Sequence, residues 1–411
     1  MKTTFPSIIG RPIELTVVAL LSLCWALALF DITGIDYLMP FIAPNLKLNN
    51  TQIGLIFSLY YIPFGLSSYV TGVLTDRFGK RRSLLISVML LFSVASVLPG
   101  LATSFTTLLM TRMLMGLLGG PILPLAQTFV AIEMPAERRA TNMGIVQNFA
   151  SGMLGFLTPL VSVALAIRWG WRAGFFVILI PGLICTALIS LSLRRIPQPP
   201  VALQSQDGSA AELRRKSIRE AMRHRNIWLC IIGACLFTAF TLISRGYLPL
   251  FYVRLRHLTP HRMSLLMTAL SVSGLILGVA FPVLADRFGR KPTAVVASLL
   301  GAILPLAALY YAGPDIGLGI LMFIGWAPAG ASILLFATIP SETVPNHATS
   351  TAIGLTFAIG TLIGGLLGPA AAGWSADRWG LNSSLLLDAG CAIAMAIVCL
   401  GLRETRSAKS S

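Results

Sequence analysis

Apolar residues run along this chain in long unbroken stretches, not at every second position or on one helical face. A helix that crosses about 30 Å of hydrocarbon needs about 20 residues. Twelve stretches fit that length, over residues 14–38, 52–74, 83–101, 106–132, 141–167, 172–193, 227–251, 263–285, 293–312, 316–338, 349–373 and 381–402. In lipid each stretch must satisfy its own backbone hydrogen bonds, which makes it a helix. The pattern therefore predicts an all-α integral membrane fold of twelve transmembrane helices. Polar segments between the stretches are short except for 194–226, which holds Pro197, Pro199 and Pro200 followed by a basic segment over 212–225. That segment fits a surface helix or a flexible linker equally well. It divides the chain into an N-terminal six-helix bundle (1–193), a cytoplasmic linker loop (194–226) and a C-terminal six-helix bundle (227–411).

Composition sharpens this picture. Charged residues make up 11% of the 411 and hydrophobic residues 55%, against about 25% charged in a soluble domain. Such a chain cannot cover a water-facing surface of its own size. The net charge of +16 would point to nucleic acid in a soluble protein, but here the basic residues gather in the short segments between apolar stretches. With twelve spans both termini lie on one side, and that side holds 22 Lys and Arg against 7 on the other. The positive-inside rule then places both termini and the central loop in the cytoplasm of a cell-membrane protein with no nucleic-acid partner. The N-terminus carries Lys2 and Arg11 before an apolar stretch without a small-residue cleavage site, which reads as a retained first helix.

The six cysteines all lie in apolar stretches without a C-x-x-C pair, and none of the four histidines falls in mid-span. The cysteines read as small apolar core residues, not ligands. No phosphate-cradling G-x-x-x-x-G-K-[ST] loop, Ser/His/Asp set or metal-ligand set is present. Neither an ATP motor, a catalytic site nor a cofactor is expected.

The two halves repeat. Shifting the sequence by 210 residues brings Tyr37 onto Tyr247, Phe41 onto Phe251, Asp76 to Gly79 onto Asp286 to Gly289, Pro135 onto Pro345, Gly155 onto Gly365, Pro159 onto Pro369, and Arg168-Trp169-Gly170 onto Arg378-Trp379-Gly380. Biased composition aligns Leu with Leu, but not this many Asp, Arg, Trp and Pro at one offset. Each half has an even number of spans, so both insert in the same orientation. Parallel repeats with a site near the midplane are one architecture of secondary transporters.

Residues Gly72 to Arg81 (GVLTDRFGKR), between spans 2 and 3, resemble the signature of the major facilitator superfamily. A second copy, Val283 to Lys291 (VLADRFGRK), stands between spans 8 and 9 with Pro282 in place of the leading glycine. The resemblance covers nearly the whole chain and implies a transporter of small molecules; six plus six spans suffice for a monomer, and an oligomer is equally compatible with them. The motif residues Gly72, Asp76, Arg77, Gly79 and Arg81, with Asp286, Arg287, Gly289 and Arg290, are read as conformational. A carboxylate at a membrane boundary can cap the following helix and pair with an arginine. Glu133 and Glu342, at the cytoplasmic ends of spans 4 and 10, are read as partners for the basic residues of the two motifs.

Charges inside spans are costly and therefore functional candidates. Asp31 and Asp36 lie in span 1, Arg112 in span 4 and Arg245 in span 7. The resemblance implies that spans 1, 4, 7 and 10 line a central cavity. The two aspartates, five positions apart, point about 140° apart on an unbroken helix, so one faces the cavity unless Gly34 and Pro40 break the helix. A carboxylate beside an arginine suits proton coupling, because protonation releases the arginine to hold substrate; a static brace between spans 1 and 4 or a gate between spans 1 and 7 would use the same residues. Arg112, Gly116, Gly120 and Pro124 share one helix face, whose glycines permit close helix approach. Arg245 has no counterpart in the first half and suits recognition of a carboxylate. Tyr37, Tyr61, Gln127, Asn148, Tyr247 and Trp326 add polar or aromatic groups on candidate substrate-binding helices, while Asp388 in span 12 has no assigned role.

Segments 36–44 (DYLMPFIAP), 170–176 (GWRAGFF) and 246–252 (GYLPLFY) are similar to anion:cation and aromatic-acid symporters, and that resemblance implies proton-coupled uptake of a small organic anion. The family's arginine after the span-1 aspartate is Tyr37 here. The alternative is a proton-coupled exporter of drugs or metabolites, which would carry Gly-Pro in span 5 where this chain has Thr158-Pro159.

Overall fold

A computed structural model describes residues 11–78, 81–134, 138–193, 208–345 and 348–405. Eleven helices among them are long and apolar enough to cross a membrane: α1 (Glu14–Asn45), α2 (Asn50–Thr71), α3 (Arg82–Leu101), α4 (Phe105–Ala131), α6 (Ala173–Leu193), α7 (Arg225–Arg254), α8 (Pro260–Phe288), α9 (Arg290–Tyr310), α10 (Asp315–Thr343), α11 (Thr349–Trp379) and α12 (Asn382–Leu400). The shorter apolar helix α5 (Gly155–Trp169) fills the remaining place in the order. A π-helical turn over Ile145–Phe149 interrupts the helical run that leads into it. Of the central segment, Gly208–Ala221 is a helix. Its Ser217 and Ala221 are buried, Ala221 within an apolar cluster with Ile227, Ile231, Ala348 and Ala352.

Several helix ends follow from local sequence. Asn49 and Gln52 form a reciprocal capping box at the start of α2, and Ser104 with Thr107 does the same for α4. The repeat is visible in the backbone as well. Gly170 (φ 83°) and Gly380 (φ 86°), one repeat apart, both end a helix in the left-handed region that glycine adopts without penalty.

The chain forms two compact units. The first comprises residues 1–42 and 62–203. Within it α3 and α6 approach so closely at Gly182 that a Cβ there would overlap the Ser93 hydroxyl. Gly120 likewise lies against the Phe64 carbonyl, and Ser68 Oγ donates to Gly120 O at 2.7 Å.

The second unit comprises residues 43–61 and 204–411. The N-terminal half of α2 thus belongs to the second unit. The change occurs at Tyr60, where α2 departs from regular helix, close to Pro63, which supplies no backbone N–H. In this unit Gly360, Gly364 and Gly368 of α11 form a ridge at fourfold spacing against Ala234, Cys235 and Ala239 of α7. That small-residue contact replaces a hydrophobic driving force that lipid cannot supply. Elsewhere, helices of both units present apolar, exposed faces: Ile180, Ile184, Leu188 and Leu191 on α6 of the first, and Leu275, Ile276, Val279 and Val283 on α8 of the second. These are faces suited to acyl chains.

Candidate functional site

The candidate site of the first unit is an ion pair between α1 and α4. Arg112 Nη1 lies 2.8 Å from Asp31 Oδ2, and both side chains are buried, at 2% and 0% exposure. Asp31 Oδ1 has no hydrogen-bond partner among the described residues. Removing two ions from water is costly, and close pairing in a low-dielectric interior offsets that cost when the geometry is good. The spare oxygen is a place where a proton can sit without displacing the arginine outright.

Asp36 is also buried. The helix runs without interruption over Arg11–Asn45, so the break suggested by Gly34 and Pro40 does not occur. A proline inside a membrane helix loses one hydrogen bond, and neighbouring helices hold the rest of the ladder. Gly34 instead serves packing: a Cβ there would lie 3.3 Å from Ser162 Oγ on α5. The two aspartates consequently point to different sides of α1.

On α4 the helix is interrupted at Gly120 and Pro121 and resumes over Ile122–Glu133. Gln127 Nε2 then donates to Gln147 Oε1 at 3.0 Å, joining α4 to the π-helical turn. Such turns widen a helix locally and are frequent at functional positions. The side chain of Asn148 lies outside the described residues. Tyr37 is buried.

In the second unit, Arg245 is half-buried on α7. Tyr247 is fully buried and donates to the carbonyls of Asn50 (3.2 Å) and Pro369 (3.1 Å). It also meets Phe57 edge to face. Its hydroxyl therefore joins α2, α7 and α11. Tyr61 packs edge to face on Tyr60, and a Cβ at Gly365 would sit 3.1 Å from its ring. Trp326 is buried at the break between Asp315–Gly325 and Ala327–Ile333, tilted against Phe240 with centroids 5.8 Å apart.

The second conformational motif is assembled around Arg290. Its guanidinium pairs with Asp286 one turn earlier and with Glu342 of α10 at 2.9 Å. Thr405 donates to the same glutamate. Arg287 lies over the Phe288 ring. The cap of α9 comes from Glu404, not from Asp286: its oxygens accept from the backbone N–H groups of Arg290 (2.8 Å) and Lys291 (3.0 Å). Gly289 (φ 107°) makes room, since a Cβ there would lie 2.8 Å from that carboxylate. In the first motif, Gly79 and the side chains of Asp76, Arg77, Arg81 and Glu133 lie outside the described residues, while Gly72 lies within a helix.

Three further polar clusters escaped the sequence reading. Glu14, buried near the start of α1, takes a two-pronged contact from Arg138 (3.0 and 2.6 Å) and a hydrogen bond from Asn142 (2.7 Å). Asp377 caps the N-terminal end of α2, accepting from Asn50 N (2.9 Å), Thr51 N (2.7 Å) and Thr51 Oγ1 (2.5 Å). Ser244 Oγ donates to Asp388 Oδ2 at 2.6 Å in the interior. Acidic residues inside or bordering apolar stretches were the available signal for all three.

Comparison with known proteins places this geometry. The family model described as Major Facilitator Superfamily matches residues 21–364. The hexuronate transporter of Bacillus subtilis (strain 168) is 25% identical over 403 residues, covering 92% of this chain and 91% of its own length. A probable sulfoacetate transporter of Cupriavidus necator is 22% identical over 380 residues, covering 89% and 87%. Among solved structures, a bacterial homologue of the human lysosomal transporter Spinster, inward-facing and unoccupied, superposes with a TM-score of 0.77 at 18% identity, covering 98% of this chain and 100% of that one.

Proposed function

This chain belongs to the major facilitator superfamily and is a multi-pass membrane transporter of small solutes, not an enzyme; within that family we propose that it imports a small organic anion together with a proton by alternating access. The observation that carries this reading is the buried Asp31–Arg112 pair with one carboxylate oxygen left open. A proton arriving on Asp31 cancels its charge, and the guanidinium of Arg112 then gains by taking a second carboxylate, that of the substrate. Once the substrate leaves, Arg112 returns to Asp31 and expels the proton. Charge balance thus couples the two cargoes without a further motor. Asp36 shares the proton-coupling role on α1.

Arg245 supplies a second cation for the anion, and its delocalised guanidinium suits a planar carboxylate or a sulfonate. Tyr37, Tyr61, Gln127, Asn148, Tyr247 and Trp326 complete the substrate-binding set, and the two motifs with Glu133 and Glu342 form and release contacts during the transport cycle. Relatives named for hexuronate and for sulfoacetate support the anion class, since both compounds are anionic. The working unit is a monomer in the cell membrane with cytoplasmic termini.

The test is proton movement in proteoliposomes carrying a pH-sensitive dye, with sulfoacetate, a hexuronate and a lipophilic cation as probes. The expected result is acidification of the lumen on adding an anionic probe, absent in Asp31→Asn and with a raised KM in Arg245→Ala. Proton release in exchange for the lipophilic cation would overturn the reading and make the protein an exporter.

A further inference from the structure

Asp388 is a buried acid that the transport reading leaves unused. It lies in α12 with 0% exposure, and its Oδ2 accepts from Ser244 Oγ of α7 at 2.6 Å. Its Oδ1 has no hydrogen-bond partner, and no guanidinium or ammonium pairs with it among the described residues. The helices packed against α12 are α7, α9 and α11. Arg290, Lys291 and Tyr310 of α9, and Asp377 and Arg378 of α11, lie at helix ends. From α7 come Ser244, the adjacent Arg245, and the hydroxyls of Tyr247 and Tyr252, which bond elsewhere. On α12 itself, Cys391 stands nearly one turn away.

An ionised carboxylate in that setting has one neutral hydrogen bond and no counter-ion, which a membrane interior strongly disfavours. The neutral acid loses little by staying there. Its bond to Ser244 also has a geometric consequence. Consecutive helix residues differ by about 100° in direction, so fixing the azimuth of Ser244 fixes that of Arg245. The first half lacks both elements: Ser244 corresponds to Gly34, Asp388 to Ile178 and Arg245 to Ile35. Clamp and cation occur together in one half only.

We propose that Asp388 is a permanently protonated carboxyl and a positioning residue, which through Ser244 sets the rotation of α7 that presents Arg245 to the anion. The positioning half rests on the reading of Arg245 as a substrate cation. The protonation half does not.

The test combines infrared spectroscopy with uptake of sulfoacetate and a hexuronate by the full chain in proteoliposomes. The wild-type spectrum is expected to contain the C=O stretch of a protonated carboxyl that vanishes in Asp388→Asn and shifts in Ser244→Ala. Asp388→Asn, a neutral isostere, is expected to keep KM and kcat within about twofold. Ser244→Ala is expected to raise KM about tenfold at unchanged kcat, the size of one lost buried hydrogen bond. In an Arg245→Ala background the serine change is expected to add nothing, because the two act through one contact. A spectrum unchanged by Asp388→Asn, or loss of uptake in that variant, would overturn the neutral acid. An unchanged KM in Ser244→Ala would overturn the positioning. If neither anion is carried, or if Arg245→Ala leaves KM unchanged, the transport reading fails and takes the positioning with it, while the infrared result still decides the protonation.

Discussion

The two halves keep one register and fill it with different chemistry. The residues one repeat beyond Asp31 and Arg112 are Thr241 and Met322. In the first unit these positions hold a buried ion pair at 2.8 Å. In the second, Thr241 returns its hydroxyl to the Phe237 carbonyl of its own helix at 2.8 Å, and the Met322 sulfur accepts from Tyr252 Oη at 3.2 Å. The same substitution of apolar for polar recurs near the start of each half. Glu14, Arg138 and Asn142 hold a hydrogen-bonded charge cluster, whereas His224, Ala348 and Ala352 stand at the equivalent positions, with both alanines in an apolar cluster. The fold evidently closes with a hydroxyl and a thioether where the first half uses two ions. Under the proposed transport reading, a buried pair that costs desolvation and that the second half does without is kept for what its charges do.

The largest effect expected from that comparison comes from splitting the pair. Asp31→Thr removes the carboxylate that pairs with the buried Arg112 and should cost about 3–5 kcal/mol, the size of breaking a buried pair from one side, read as a lowered thermal midpoint, with no uptake of sulfoacetate. The double variant Asp31→Thr with Arg112→Met installs the second half's neutral solution. Its midpoint should return to that of the wild type or exceed it, because neutral replacement of a buried pair is commonly neutral or stabilising, while uptake stays absent. Transport by the double variant would break the comparison, since the charges would then be dispensable. A stable, inactive double variant would sharpen it.

A smaller effect is expected at the Glu14 cluster. Arg138→Ala removes two charge-assisted hydrogen bonds from a buried glutamate, but Arg138 itself is 46% exposed and Asn142 still bonds the carboxylate. A loss of about 1–2 kcal/mol is appropriate, at the lower part of the range for bonds to charged groups. The equivalent change at the second half's Ala348 has no charge to lose. Chemical unfolding of Arg138→Ala against wild type measures the difference.

How much of this was readable beforehand depends on what sets each feature. Span lengths were readable because hydrocarbon thickness dictates them, and the repeat because Asp, Arg, Trp and Pro matched at one offset. The polar linker divided the helices six and six, but residues 43–61 pack with the second unit, and periodicity carries no information on which neighbour a helix segment chooses. The sequence indicated that only one span-1 aspartate would meet a given partner. That it is Asp31 which reaches Arg112 depends on helical phase across α1, and the uninterrupted passage through Gly34 and Pro40 was opposite to what those residue types suggest. The caps by Asp377 and Glu404 join residues 326 and 114 positions apart. A carboxylate near a helix end reads in sequence as water-facing, so only the tertiary fold reveals its target.

The weakest contrast lies at the N-terminal ends of α2 and α8, which are repeat equivalents. Among the described residues, helix α8 starts with a local cap, Thr259 accepting from Arg262 N at 3.4 Å. Helix α2 has its local box of Asn49 and Gln52 and, in addition, the distant carboxylate of Asp377, whose equivalent in the first half is Ile167. Orphan N–H groups at a helix start attract negative charge, but Asp377 is exposed and water competes for it. Asp377→Asn keeps an acceptor and removes the charge, so it should cost about 0.3–1 kcal/mol, a small downward shift in thermal midpoint that shrinks further at high salt. Asp377→Ile, which writes the first half's residue into the second, removes the acceptor too and should cost more than the asparagine. Equal midpoints for all three proteins would mean that the local box alone holds α2, and that its N-terminal end is as simply made as that of α8.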